Sequence, residues 1–161
     1  MGYLETLTMV LFSSGWPSQW HPSPFTIDKV RYSCTEQYMM SEKADFFGDS
    51  RMLTAIRKER SPREQKALGR RVTNFDEKKW RGVCKDIVYR GNLAKFSQND
   101  DLKKKLLATG KKLIVEASPN DRIWGIGLAT DDPKAQQRQY WKGTNWLGEI
   151  LMQVRSELSK G

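Results

Sequence analysis

The segment from Asp76 to about Phe96 places Trp80, Val83, Cys84, Ile87 and Val88 at helical spacing, which makes one apolar stripe along a long helix. Such a stripe must be buried, so the rest of the chain has to supply partner layers. Two short stretches, "LTMVLF" and "SPFTIDKVRYSC", read as strands. The second turns back at Asp28 and Lys29 and offers Phe25, Ile27, Val30 and Tyr32 for packing. Ser33 with Glu36 three residues on has capping-box spacing and opens a helix over "TEQYMMSEKADFF". Asp49 caps "RMLTAIRKER", and Ser61-Pro62 with Glu64 starts another helix with proline in its first turn. "DLKKKLLATG" ends at Gly110, and "KKLIVEAS" follows as a strand. Asn145 caps a last helix that buries Leu147, Ile150, Leu151, Val154 and Leu158. With no internal repeat or low-complexity linker, the pattern predicts an α+β fold: a single compact, mostly helical domain over residues 1–161 with a small β-sheet.

Composition narrows the chemistry. The length is sufficient for a substantial core without disulfides or metal. Cys34 and Cys84 lie among apolar or helical neighbours and read as reduced thiols. With His21 as the one histidine, a zinc cluster lacks ligands and any nucleophile–His–acid triad must run through that residue. Neither metal nor cofactor is therefore expected, and carboxylates are the candidates for acid–base work. "LTMVLF" is too short for a signal or membrane helix, so no membrane partner and a cytoplasmic or nuclear location are expected. "MGYLET" fits the myristoylation pattern at Gly2, a pattern short enough to match by chance. The 28 basic and 19 acidic residues leave a net charge of +9, which suits polyanions or phosphorylated small molecules. The basic residues are dispersed over several segments, where many simply solvate helix faces.

The stretch "EASPNDRIWGIG" concentrates Glu116, Asp121, Arg122, Trp124, Gly125 and Gly127 at a strand end. Each type has an ordinary use in a turn, but the mixture of acid, guanidinium, flat ring and close-approach glycines also suits a nucleotide or sugar phosphate. The two glycines form neither a P-loop nor a Rossmann fingerprint. Glu36 serves a capping box or a reaction, and the two uses coexist. Lys43 lies seven positions further on the same helix face, as a solvated residue or a phosphate contact. Trp80 belongs to the helix stripe, whereas Trp20, Trp124 and the remaining tryptophans sit in or beside loops where a base could stack.

Six collinear motifs, "SQWHPSPF", "TEQYMMSEKA", "QKALGRRVTNFDEKKW", "KFSQND", "LLATGKKLIVEASPNDRIWGIG" and "GTNWLGEILMQVR", strongly resemble the NADAR, or YbiA-like, family over nearly the whole chain. The resemblance implies one α+β domain that hydrolyses N-glycosidic bonds of ribosylated bases. It implies two substrate classes: ribosylamino-pyrimidine phosphates of riboflavin synthesis, and ADP-ribose on guanine in nucleic acid. By motif position it makes Glu36 and Asp121 the catalytic acids. Together with the residue reading it gives Trp20, Lys43, Trp80, Glu116, Arg122, Trp124, Gly125, Gly127 and Asn145 as the substrate-binding set. ADP-ribosylated DNA is the favoured substrate because of the positive charge, and a non-catalytic ADP-ribose or nucleic-acid binding module is the rival of another class.

Overall fold

The computed structural model describes residues 2–161. Its strands are β1 (Tyr3–Glu5), β2 (Met9–Phe12), β3 (Phe25–Ile27), β4 (Val30–Tyr32) and β5 (Leu113–Glu116). The helices are α1 (Thr35–Phe46), α2 (Ser50–Lys58), α3 (Pro62–Gly69), α4 (Glu77–Arg81), α5 (Cys84–Gln98), α6 (Asp100–Ala108) and α7 (Trp146–Ser159), with two 3-10 turns at Pro133–Gln136 and Arg138–Tyr140. This is the expected α+β fold, mostly helical with small sheets. The chain forms two compact units: the stretch up to His21 together with Asp100–Gly161, and Pro22–Asn99.

In the first unit, β2 is the central strand, antiparallel to β1 and parallel to β5. Val10, Leu11 and Phe12 of β2 and Ile114 and Val115 of β5 are fully buried, which explains why both strands read as continuous apolar runs. Helix α7 covers β5, burying Leu147, Ile150, Leu151 and Val154, while Leu158 is only half-buried. Arg155 fastens α7 to the turn before β5, donating to the Thr109 hydroxyl at 2.9 Å and the Lys112 carbonyl at 2.8 Å. Strand β1 was not expected. It is three residues long, half-exposed and at a sheet edge, so it carries no readable alternation.

The second unit packs α2, α3 and α5 around α1. The β3–β4 hairpin turns where expected, with Asp28 and Lys29 both at positive φ, the geometry that matches strand twist. Its Phe25 and Tyr32 rings stack at 5.6 Å and meet Tyr38 of α1 edge-on. Asp49 and Ser61 cap α2 and α3 through their side chains, as their positions predicted.

Two expectations at helix ends are corrected. The capping-box pair is not Ser33 with Glu36: the N-cap of α1 is Cys34, with no side-chain cap bond, and the Ser33 amide and hydroxyl both donate to Gln37 Oε1 at 2.8 and 3.1 Å. The long stripe from Asp76 is also broken, into α4 and α5 at Gly82 and Val83. A glycine inside a helix costs about 1 kcal/mol, and Asp76 caps a separate short helix by accepting from Lys79 N at 3.1 Å.

Lys95 of α5 is completely buried, with its ammonium 4.9 Å from the Phe96 ring centroid. Burial lowers it to about 7, against a small opposing effect from Cys34. Between about pH 7 and the ordinary lysine value the unfolded chain holds a proton that the folded chain has released. Stability therefore rises with pH across that window, by up to about 1.4 kcal/mol per unit, and the burial cost is fully felt below it. Lys95→Met is expected to flatten this dependence, measured as denaturant midpoints from pH 6 to 10. An unchanged slope would show that Lys95 titrates alike in both states.

Candidate functional site

In the second unit, Glu36 is buried, 4% exposed, in the first turn of α1. The bonds to Ser33 expected of it are made instead by Gln37. Lys43 lies two turns along, half-buried; burial lowers its pKa, the Glu36 carboxylate raises it, and Arg70 lowers it further. Acid and base therefore share a face and feel each other's charge. The Lys43 ammonium sits 4.5 Å from the centroid of the Phe75 ring, which is exposed, so the cation is held over an aromatic face.

Trp80 belongs to the same neighbourhood through Phe47, whose ring centroid lies 6.4 Å from that of Trp80 and 5.4 Å from that of Phe75. Trp80 is half-buried and also packs against the core formed by Phe25, Tyr32, Tyr38, Ile87 and Ala94. Helix α1 with the Phe47 that follows it, the loop after α3 and helix α4 thus bring Glu36, Lys43, Phe47, Phe75 and Trp80 into one neighbourhood. Asp49 fixes that loop: Oδ1 accepts from Met52 N at 3.0 Å, while Oδ2 accepts from the Thr73 amide and hydroxyl at 2.9 and 3.0 Å. These bonds hold the Asp49 carboxyl below the usual range, the Met52 amide contributing most. Asn74 at positive φ then turns the chain.

Phe47, Phe75 and Arg70 were missed in the sequence. "FDEKKW" carries a signal for Phe75, an aromatic immediately before the Asp76 N-cap of a short helix.

In the first unit, Asp121 organises the loop after β5. Its Oδ1 accepts from the amides of Ile123, Trp124 and Gly125 at 2.9, 2.8 and 3.4 Å, and its carbonyl accepts from Gly127 N at 3.0 Å. Oδ2 takes no part in this fan. The loop is tied to the start of α7 by Thr144 N to Arg122 O, Asn145 N to Gly125 O, Trp146 N to Ile123 O and Leu147 N to Trp124 O, at 3.0–3.1 Å. Trp124 and Trp146 meet edge-on at 5.7 Å.

Asn145 stands at the N-cap of α7 in the left-handed region, but its side chain does not cap the helix. Instead it accepts from Glu116 N at 2.9 Å and donates to Ile114 O at 3.0 Å, extending the hydrogen bonding of β5. The amide matches a strand's alternating donor and acceptor, which a helix terminus offering only N–H groups does not require.

The glycines also serve the protein's own packing. A Cβ on Gly125 would lie 2.9 Å from both the carbonyl and Oε2 of Glu116; one on Gly127, at φ +72°, would lie 3.0 Å from the Cβ of Lys142. Arg122 is exposed, Trp124 half-buried, and Trp20 43% exposed. Among the described residues, no His/Cys/Asp/Glu group could hold a metal ion and no helix is long and apolar enough to cross a membrane.

The comparisons with known proteins agree with these motifs. The NADAR domain family matches residues 11–159. An N-glycosidase of Acanthamoeba polyphaga mimivirus is 46% identical over 145 residues, covering 87% of this chain and 85% of its own. Protein irg-1 of Caenorhabditis elegans is 42% identical over 159 residues, 92% of this chain and 75% of its own. The NMR structure of the Escherichia coli protein YbiA superposes with a TM-score of 0.79 at 28% identity, covering 99% of this chain and 90% of that one. The chain belongs to the NADAR family. Its chemistry is that of an N-glycosidase, a hydrolase acting on N-glycosyl compounds.

Proposed function

We propose that the chain cleaves the bond between ribose and a base, and that its substrate is ADP-ribose attached to guanine in DNA. The observation that supports this best is the buried Glu36 carboxylate on one helix face with Lys43, beside the Phe47, Phe75 and Trp80 rings. As the ribose–nitrogen bond breaks, its electron pair leaves with the base and positive charge grows on the anomeric carbon. A carboxylate in a partly dry site stabilises that charge and takes a proton from the attacking water, whose oxygen bonds to the carbon. The departing nitrogen gains one proton, so the reaction consumes one water. Lys43 supplies a cation for a phosphate, and the rings wall the sugar and base.

In this proposal Asp121 and Asn145 are positioning residues, because their side chains hold the loop and strand that carry Glu116, Arg122 and Trp124. Arg122 offers a guanidinium fork to phosphate, and Trp20 and Trp124 offer flat faces to a base. Gly125 and Gly127 keep that loop close-packed. The match of one family over residues 11–159 supports treating both units as one functional domain.

The net charge of +9 favours a nucleic-acid substrate over a small one. Incubation with an oligonucleotide carrying ADP-ribosyl-guanine is expected to release free ADP-ribose by mass spectrometry, with strongly salt-dependent rates. No release from the oligonucleotide, with turnover of ribosylamino-pyrimidine phosphates, would overturn the DNA assignment and keep the reaction class.

A further inference from the structure

In the second unit a cavity of about 440 Å³ is lined by Pro22, Pro24, Arg31, Tyr32, Ser33, Gln37, Arg57 and Arg60. It contains none of Glu36, Lys43, Phe47, Phe75 or Trp80, so it is separate from the aromatic face. Three arginines and no acid line it, and none of the three forms a salt bridge among the described residues. Neighbouring polar groups bond one another. Gln37 Nε2 donates to the carbonyls of Ile56, Arg57 and Glu59 at 3.0, 3.2 and 2.9 Å, and Gln65 Nε2 donates to Glu59 O at 2.8 Å. The Glu59 carboxylate accepts from the Arg60 and Ser61 amides, both at 2.9 Å. The Arg57 charge lies near the Tyr32 hydroxyl, whose pKa burial raises and Arg57 lowers.

The wall is therefore built by side chains that satisfy one another while leaving guanidinium charge facing the cavity. Guanidinium forks suit tetrahedral oxyanions, and Pro22, Pro24 and Tyr32 add an apolar surface suited to a sugar or base edge. We infer that this cavity holds a phosphodiester of a nucleic-acid strand, as a docking site apart from the reacting centre. The inference is independent of which base is hydrolysed, since its ligand is an unmodified strand.

The test is fluorescence anisotropy with a short, unmodified single-stranded DNA over a range of salt. Arg31→Ala/Arg60→Ala leaves Arg57 beside Tyr32 and removes two charges; Lys104→Ala/Lys111→Ala removes the same charge from exposed positions of the other unit. The arginine pair is expected to weaken binding about tenfold more than the lysine pair and to reduce the salt slope by roughly 1.4, at about 0.7 per phosphate contact. Unchanged thermal melting checks the fold. Equal weakening by the two pairs would reduce the effect to overall charge, and no weakening would remove the site. Binding of a 5′-mononucleotide as tight as the strand's, lost in the arginine pair, would assign the cavity to a free phosphorylated compound instead.

Discussion

Glu36→Gln is expected to lower turnover by about 10²–10⁴-fold while substrate affinity and melting temperature stay close to the parent's. The amide occupies the carboxylate's volume, so packing in the first turn of α1 is retained. What it loses is negative charge, needed against the cationic sugar, and basicity, needed for the water proton. The same substitution removes the charge that raises Lys43's pKa, leaving burial and Arg70 to lower it. The lysine should then titrate lower in the variant, which NMR of its side chain would read. A variant with full turnover would move the chemistry away from Glu36; one with lost turnover but an unmoved lysine would separate the catalytic assignment from the electrostatic one.

That pairing was only partly legible in the sequence. A seven-residue spacing puts Glu36 and Lys43 on one helix face, and the periodicity needs no tertiary information. The aromatic floor was harder to find, because Phe47, Phe75 and Trp80 come from three segments whose convergence depends on Asp49 holding Thr73. Nothing local announces that an aspartate capping α2 will also grip a loop more than twenty residues away. Capping assignments succeeded at Asp49 and Ser61, where side chain and first turn are contiguous. They failed at Ser33 and Asn145, where the side chains chose another partner: Gln37 for one, the β5 backbone for the other. The glycines were recognised as sites of close approach, but the sequence could not say that the approaching atoms belong to Glu116 and Lys142.

The same distinction between ligand and scaffold makes Asp121 the most informative residue of the other unit. Asp121→Ala deprives three amides of their shared acceptor and is expected to cost about 2–3 kcal/mol, read as a fall in melting temperature. Asp121→Asn keeps a carbonyl oxygen at the Oδ1 position, so it is expected to melt within a few degrees of the parent. Because the structure commits Oδ1 to the loop, turnover of the Asn variant is expected to remain within about tenfold, a loss smaller than removal of a proton-transfer group produces. A parental melting temperature combined with a loss as large as that of Glu36→Gln would instead assign chemistry to Oδ2. The two variants separate two properties, since they differ from each other in whether the loop is held, and the Asn variant differs from the parent chiefly in whether its holder is ionised.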